Sequence, residues 1–159
     1  QIPEPMFVDV VKITTAREMF EAVTARAADQ DIIIKAAAVA DYRPKEVKNE
    51  KVKKSSSEIS LEMEKTDDIL KFLGEHKREG QFLCGFSMET ENMVENSRKK
   101  LEKKNLDLVV ANNLKVEGAG FLGDTNVVTL ISKDKEVSLP KMSKEETADH
   151  ILDAILYHN

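Results

Sequence analysis

Apolar positions along this 159-residue chain switch between a period of two and a period of about 3.6, and each switch marks a predicted element. Val8, Val10, Val11 and Ile13 make Phe7 to Ile13 rich in β-formers and predict a strand. Thr15-Ala16-Arg17-Glu18 is a capping-box pattern. Met19, Phe20, Val23 and Ala27 follow at helical spacing, predicting an amphipathic helix that ends near Asp29. Asp31-Ile32-Ile33-Ile34 opens a second strand, running to about Ala38 and apolar enough to be buried on both faces. Strand, helix and strand in this order predict a parallel sheet with a right-handed crossover.

From Asp41 to Ser57 the periodicity stops. The stretch is polar, holds Pro44, and predicts a long loop of the kind that often carries function. Ile59, Leu61 and Met63 then alternate with Ser60, Glu62 and Glu64, as in a half-buried strand inserted at residues 58–65. Asp67 to Lys77 predicts a helix with Ile69, Leu70 and Leu73 inward. Gln81 to Phe86 is a short buried strand, Asn92 to Lys104 a highly charged helix, and Leu106 to Ala111 another strand. Asn126–Ser132 and Lys135–Leu139 predict a hairpin across Lys133-Asp134. Ser143-Lys144-Glu145-Glu146 is a second capping box, and Ile151, Leu152, Ile155 and Leu156 give the final helix its apolar face. With no internal repeat, residues 1–159 read as one α/β domain, doubly wound, with an inserted loop and strand.

Composition narrows the function. A net charge of −5 argues against a general nucleic-acid binder, which needs a basic face. The longest apolar run, Ile32 to Ala40, is broken by Lys35 and too short to span a bilayer. Cys84 is the single cysteine, so no internal disulfide can form, and a reducing, cytoplasmic setting is expected. The first residue is not methionine, and Gln1-Ile2-Pro3-Glu4-Pro5 reads as a loop entering a strand, so a trimmed chain is expected.

Ligands of open parallel sheets bind beyond the carboxyl ends of the strands, which singles out four segments. Ala36 to Tyr42 places small residues and Asp41 at a strand end: either a ribose or metal contact, or a buried strand whose Asp caps a turn. The loop from Arg43 to Lys54 carries six cations, Arg43, Lys45, Lys48, Lys51, Lys53 and Lys54. It is either a phosphate-closing loop or a solvated lysine-rich one. Gly85-Phe86 at a strand end forms either a slot for a flat base or a close core contact. Lys100 and Lys104 share one helix face, where they clamp a triphosphate or complement the helix dipole. The histidines show no metal-ligand spacing, Cys84 sits in an apolar strand as an inert thiol, and no glycine-rich phosphate loop is present.

Taken in order, these segments resemble one family, the bacterial phosphopantothenoylcysteine synthetases. Ala37-Ala38-Val39-Ala40-Asp41-Tyr42-Arg43 with Glu50-Lys51-Val52-Lys53-Lys54 is similar to the family's AAVADYR…EKIKK. Gly85-Phe86-Ser87-Met88-Glu89-Thr90 is similar to GFAAET, and Lys104-Asn105-Leu106-Asp107-Leu108-Val109-Val110-Ala111-Asn112 to KNLDLIVAN. Gly120-Phe121, Asp124 and Asn126 resemble GF..D.N. The motifs are collinear and cover nearly the whole chain. Thr66-Asp67-Asp68-Ile69 departs from the family's Asn-Pro-Asp-Ile.

The resemblance implies a Rossmann-like three-layer sheet with helices on both faces. It also implies that the inserted loop and strand serve active-site closure and dimerisation. The implied reaction uses CTP with Mg2+ to convert the carboxylate of 4′-phosphopantothenate into an acyl-cytidylate, releasing pyrophosphate. The amine of L-cysteine then attacks and CMP leaves. Lys51 matches the catalytic lysine of the loop; Ala37, Asp41, Asp67, Asp68, Ile69, Leu70, Phe86, Lys100 and Lys104 match nucleotide-contacting positions. No protein side chain is implied as a metal ligand. The family is homodimeric and in many bacteria fused to a flavin-dependent decarboxylase. It carries a preceding segment of several dozen residues, so this chain is expected to be the C-terminal two-thirds of the synthetase. The alternative expectation is a dimerising fragment that holds a nucleotide without turnover.

Overall fold

The computed structural model describes residues 4–46, 50, 60–89, 91–113 and 123–157, with Asn113 described by its backbone alone. The chain divides into two compact units, Gln1–Ala25 with Ala38–Ile69, and Arg26–Ala37 with Leu70–Asn159. Helix α1 (Ala16–Ala27) belongs to both in sequence. Its start is the predicted capping box: Thr15 Oγ1 accepts the Glu18 N–H at 3.1 Å, and Glu18 Oε2 accepts the N–H of Thr15 at 3.3 Å.

The second unit holds a five-stranded sheet in the order β1 (Ile32–Lys35), β4 (Phe82–Glu89), β5 (Leu108–Asn113), β7 (Val128–Ile131), β8 (Glu136–Ser138). β1, β4 and β5 run parallel, and β7 and β8 continue the sheet antiparallel. The β7–β8 hairpin turns at Lys133-Asp134, as the sequence predicts, with the Ser132 N–H bonded to the Lys135 carbonyl at 2.9 Å. Side-chain alternation sorts the sheet into two faces. Cys84, Leu108, Val110, Val128 and Leu130 face α4 (Lys144–Leu156) and close a core around its Ile151 and Ile155. On the other face Leu70 of α2 (Ile69–Glu75) and Leu106 lie over Gly85, and α3 (Met93–Lys103) lies along β4 and β5, burying Ser97 and Leu101. The result is the expected α/β architecture, a sheet layered between helices. No helix among the described residues is long and apolar enough to cross a membrane.

The first unit contains an antiparallel ribbon of β2 (Tyr42–Pro44) and β3 (Met63–Lys65). β2 falls inside the predicted loop; it is held by cross-strand ion pairs, Arg43 to Glu64 and Lys45 to Glu62, each at 2.7 Å. β6 (Thr125–Asn126) and β9 (Met142–Ser143) form a second small ribbon, which leads into the Ser143–Glu146 capping box of α4.

Two expectations are corrected. Phe7 to Ile13 is not a strand: it pairs with no described strand, and Phe7 is 99% exposed. β-forming residues supply propensity, but a strand forms only when a neighbour takes its hydrogen bonds. β1 is not buried on both faces either. It is one of the two edge strands of the sheet among the described residues, and Ile32 and Ile34 stay 42% and 41% exposed.

Candidate nucleotide site

β4 and β5 end side by side, with Phe86 opposite Val110, Ser87 opposite Ala111 and Met88 opposite Asn112. Because side chains alternate, Phe86 and Met88 lie on the α4 face and Ser87 and Glu89 on the α3 face. Phe86 packs partly buried against the Cys84–Ile151 core. On the other side, Lys100 Nζ reaches from α3 to donate to Ser87 Oγ at 2.9 Å, and Ser87 Oγ donates to Glu89 Oε1 at 2.8 Å. A helical side chain leans toward the helix N-terminus, which brings Lys100 up to the strand end. Asn96, in the first turn of α3, donates to Glu89 Oε2 at 3.3 Å and to the Glu91 carbonyl at 3.1 Å. The carboxyl edge of β4 therefore carries an aromatic ring on one face and a cation–hydroxyl–carboxylate chain on the other.

Lys104 sits at the opposite end of α3 from Asn96, as its C-cap. Its carbonyl lies so close to Gly74 that a Cβ there would overlap it, and Asn105 Nδ2 donates to the Gly74 carbonyl at 3.0 Å. Lys100 and Lys104 stand four residues apart, Lys104 as the cap, and Lys100 joins the Ser87–Glu89 chain. Ala37 follows β1, and its carbonyl accepts from Lys35 Nζ at 2.7 Å. Ile69 and Leu70 are buried core residues, so what that segment can offer a ligand is its backbone and the exposed Asp67 and Asp68.

In the first unit, Thr66 ties the Asp41 strand end to the Asp67 segment. Its N–H bonds the Asp41 carbonyl at 3.0 Å and its hydroxyl bonds the Ala40 carbonyl. Lys51, the expected catalytic lysine, lies outside the described residues, as do Lys48, Lys53, Lys54, Thr90, Gly120 and Phe121.

Sequence reasoning passed over Ser87, Glu89, Asn96 and Asn112 as site residues. Asn112 Oδ1 is buried without a hydrogen-bond partner among the described residues. A polar residue continuing the apolar alternation Leu108, Val110 is the signal that could have found it. Cys84 is the inert thiol expected. Burial pushes it up to about 12, and the Asp107 carboxylate adds to the shift. A cleft of about 500 Å3 lined by Arg98, Asn105, Asp107 and Asp134 lies at the amino end of β5. The carboxyl end of the sheet is preferred over this cleft because ligands of parallel sheets bind there.

The family model for the DNA/pantothenate metabolism flavoprotein C-terminal domain matches residues 1–158. Over 148 residues the chain is 47% identical to the coenzyme A biosynthesis bifunctional protein CoaBC of Bacillus subtilis (strain 168), covering 92% of this chain and 36% of that protein. It is also 38% identical over 155 residues to a cysteine/cysteine sulfinic acid decarboxylase of an unknown prokaryotic organism, covering 97% of this chain and 43% of the relative. The chain thus spans about two-fifths of the length of these curated relatives. The crystal structure of the C-terminal domain of a CoaBC protein superposes with a TM-score of 0.78 at 39% identity, covering 97% of this chain and 67% of the other. With nearly its whole length matched in sequence and in fold, the chain belongs to the DNA/pantothenate metabolism flavoprotein C-terminal domain family.

Proposed function

We propose that this chain is the nucleotide-handling part of a phosphopantothenate–cysteine ligase of coenzyme A biosynthesis, using CTP. The observation that carries the reading is the carboxyl edge of β4, with Phe86 on one face and Lys100 held by Ser87 and Glu89 on the other. A nucleotide lying across that edge would set its base against the ring and its phosphates toward the ammonium. Membership of a family whose relatives include CoaBC proteins supports the same assignment.

In the proposed reaction, the phosphopantothenate carboxylate attacks the α-phosphate of CTP, forming an acyl-cytidylate as pyrophosphate leaves. The cysteine amine then attacks the acyl carbon and expels CMP. Charge grows on the phosphate oxygens in the first step. Lys51, on the loop that resembles the family's mobile one, would neutralise it there. Lys100 and Lys104 would hold the leaving phosphates, Asp41 a ribose hydroxyl, and the backbones of Ala37 and of the Asp67, Asp68, Ile69 and Leu70 segment the rest of the nucleotide. Magnesium would arrive with the triphosphate, held chiefly by phosphate oxygens and water.

The test uses the full-length protein with CTP, magnesium, 4′-phosphopantothenate and L-cysteine, following CMP and pyrophosphate together, with ATP as comparator. Equal release of both products, lowered in Lys51→Ala by about 10²–10³-fold, is expected. Saturable CTP binding without product favours the nucleotide-binding reading. No CTP binding in the full-length protein sinks both.

A further inference from the structure

We infer that Ser87 is a positioning residue, which holds Lys100 pre-aimed for a polyphosphate at the carboxyl end of β4; this rests on the nucleotide reading above. Ser87 is 1% exposed, too deep to meet a ligand itself. A hydroxyl has one proton to give and two lone pairs to offer. Here the proton goes to Glu89 Oε1 at 2.8 Å and a lone pair receives Lys100 Nζ at 2.9 Å. Between a carboxylate and an ammonium this polarity is fixed, because the first only accepts and the second only donates. The carboxylate is anchored in turn through its other oxygen by Asn96.

The serine also keeps the ion pair from closing. Lys100 Nζ stays 3.8 Å from Glu89 Oε1, outside direct hydrogen-bonding range. The lysine therefore keeps the attraction of the carboxylate while giving a single N–H to Ser87, and an ammonium has three. Lys100 retains 29% exposure and Glu89 21%, so the head group can still meet a ligand. A long flexible side chain fixed before binding loses less freedom when the ligand arrives, and that gain appears as affinity. Where the resembled motif GFAAET has alanine, this chain has Ser87. The contact to Lys100 is thus written into a position at which alanine would fill the strand equally well.

The experiment is calorimetric titration of the full-length protein with CTP and with CMP, in magnesium, for the wild type, Ser87→Ala, Lys100→Ala and the double variant. Ser87→Ala is expected to weaken CTP about tenfold and to leave CMP unchanged, and the double variant to match Lys100→Ala. A purely structural role for Ser87 would weaken both nucleotides alike, or add to the Lys100→Ala effect, and either result overturns the inference. Lys100→Ala without effect on CTP overturns the phosphate reading of Lys100 and the positioning role with it. An effective Lys100→Ala beside a silent Ser87→Ala overturns the positioning role alone. Ser87→Cys, close in volume but a weak hydrogen-bonder, reads the same contact should the alanine variant not fold.

Discussion

Asp107 and Leu83 bond each other twice: Asp107 Oδ2 accepts the Leu83 N–H at 2.7 Å, and the Leu83 carbonyl accepts the Asp107 N–H at 2.9 Å. Lys77 Nζ straddles the same carboxylate at 2.9 and 3.0 Å. One side chain therefore pins the amino ends of β4 and β5 and fixes where their carboxyl ends fall. Asp107→Ala strips the Leu83 N–H and the mostly buried Lys77 ammonium of their partner, and should cost about 2–3 kcal/mol by urea unfolding. Lys77→Met should cost less, since the carboxylate keeps its bond to Leu83.

Cys84 links stability to alkaline pH. The unfolded thiol ionises near the ordinary 9.0 and the folded one near 12, so the native state holds this proton more tightly. Its contribution is whole below the unfolded value and is lost as pH rises toward the folded one. Urea unfolding between about pH 8 and about pH 10.5 should show wild type losing ground to Cys84→Ala above the unfolded value, on the order of 1 kcal/mol per pH unit. A gap that does not change with pH would contradict the shift.

Gly74 lets α2 approach the end of α3 closely enough for its backbone to meet the Lys104 carbonyl. Gly74→Ala must push the two apart, at an expected cost of about 1–3 kcal/mol. A thermal midpoint equal to wild type would mean the helices move without resistance.

The final helix carries an acid-sensitive start. Ser143 Oγ accepts the Glu146 N–H at 3.1 Å, and Glu146 Oε2 accepts the Ser143 N–H at 2.9 Å. The bond from the Ser143 N–H holds the Glu146 carboxyl below its ordinary value, and the Ser143 hydroxyl adds to the shift. Its contribution is present above the ordinary carboxyl value and is lost as pH falls through the lowered one. The stability gap between wild type and Glu146→Gln, followed by thermal melts, should therefore narrow on acidification. Ser143→Ala should cost about 1 kcal/mol.

Phe86 and Lys100 should separate by nucleotide. Phe86→Leu removes an aromatic face and should weaken CMP and CTP by a similar factor of about three to ten. Lys100→Ala should act on CTP chiefly. Matching titrations for the two variants would count against a nucleotide lying across the β4 edge.

Local signals were readable and distant ones were not. Both capping boxes and the hairpin at Lys133-Asp134 follow from neighbouring residues. β2 was missed because Tyr42-Arg43-Pro44 is short and held by partners about twenty residues away, Glu62 and Glu64. The two-residue strands β6 and β9 were missed for the same reason. Phe7 to Ile13 failed in the opposite sense, with propensity and no described strand to pair with. At the candidate site, Phe86 stands out in the sequence as an aromatic beside Gly85 at a strand end, and Lys100 by its four-residue spacing from Lys104. Ser87 and Glu89 do not, because their role shows only when strand alternation places them under Lys100.

That alternation limits how the strand can change over time. One residue inserted in β4 ahead of Phe86 would rotate everything beyond it by half a pleat. The ring would turn toward Lys100, and the hydroxyl and carboxylate would turn into the apolar layer against Ile151 and Ile155. Between Phe82 and Glu89, descent with retained chemistry can proceed by replacement of side chains, while single gains or losses of length are confined to the turn that follows.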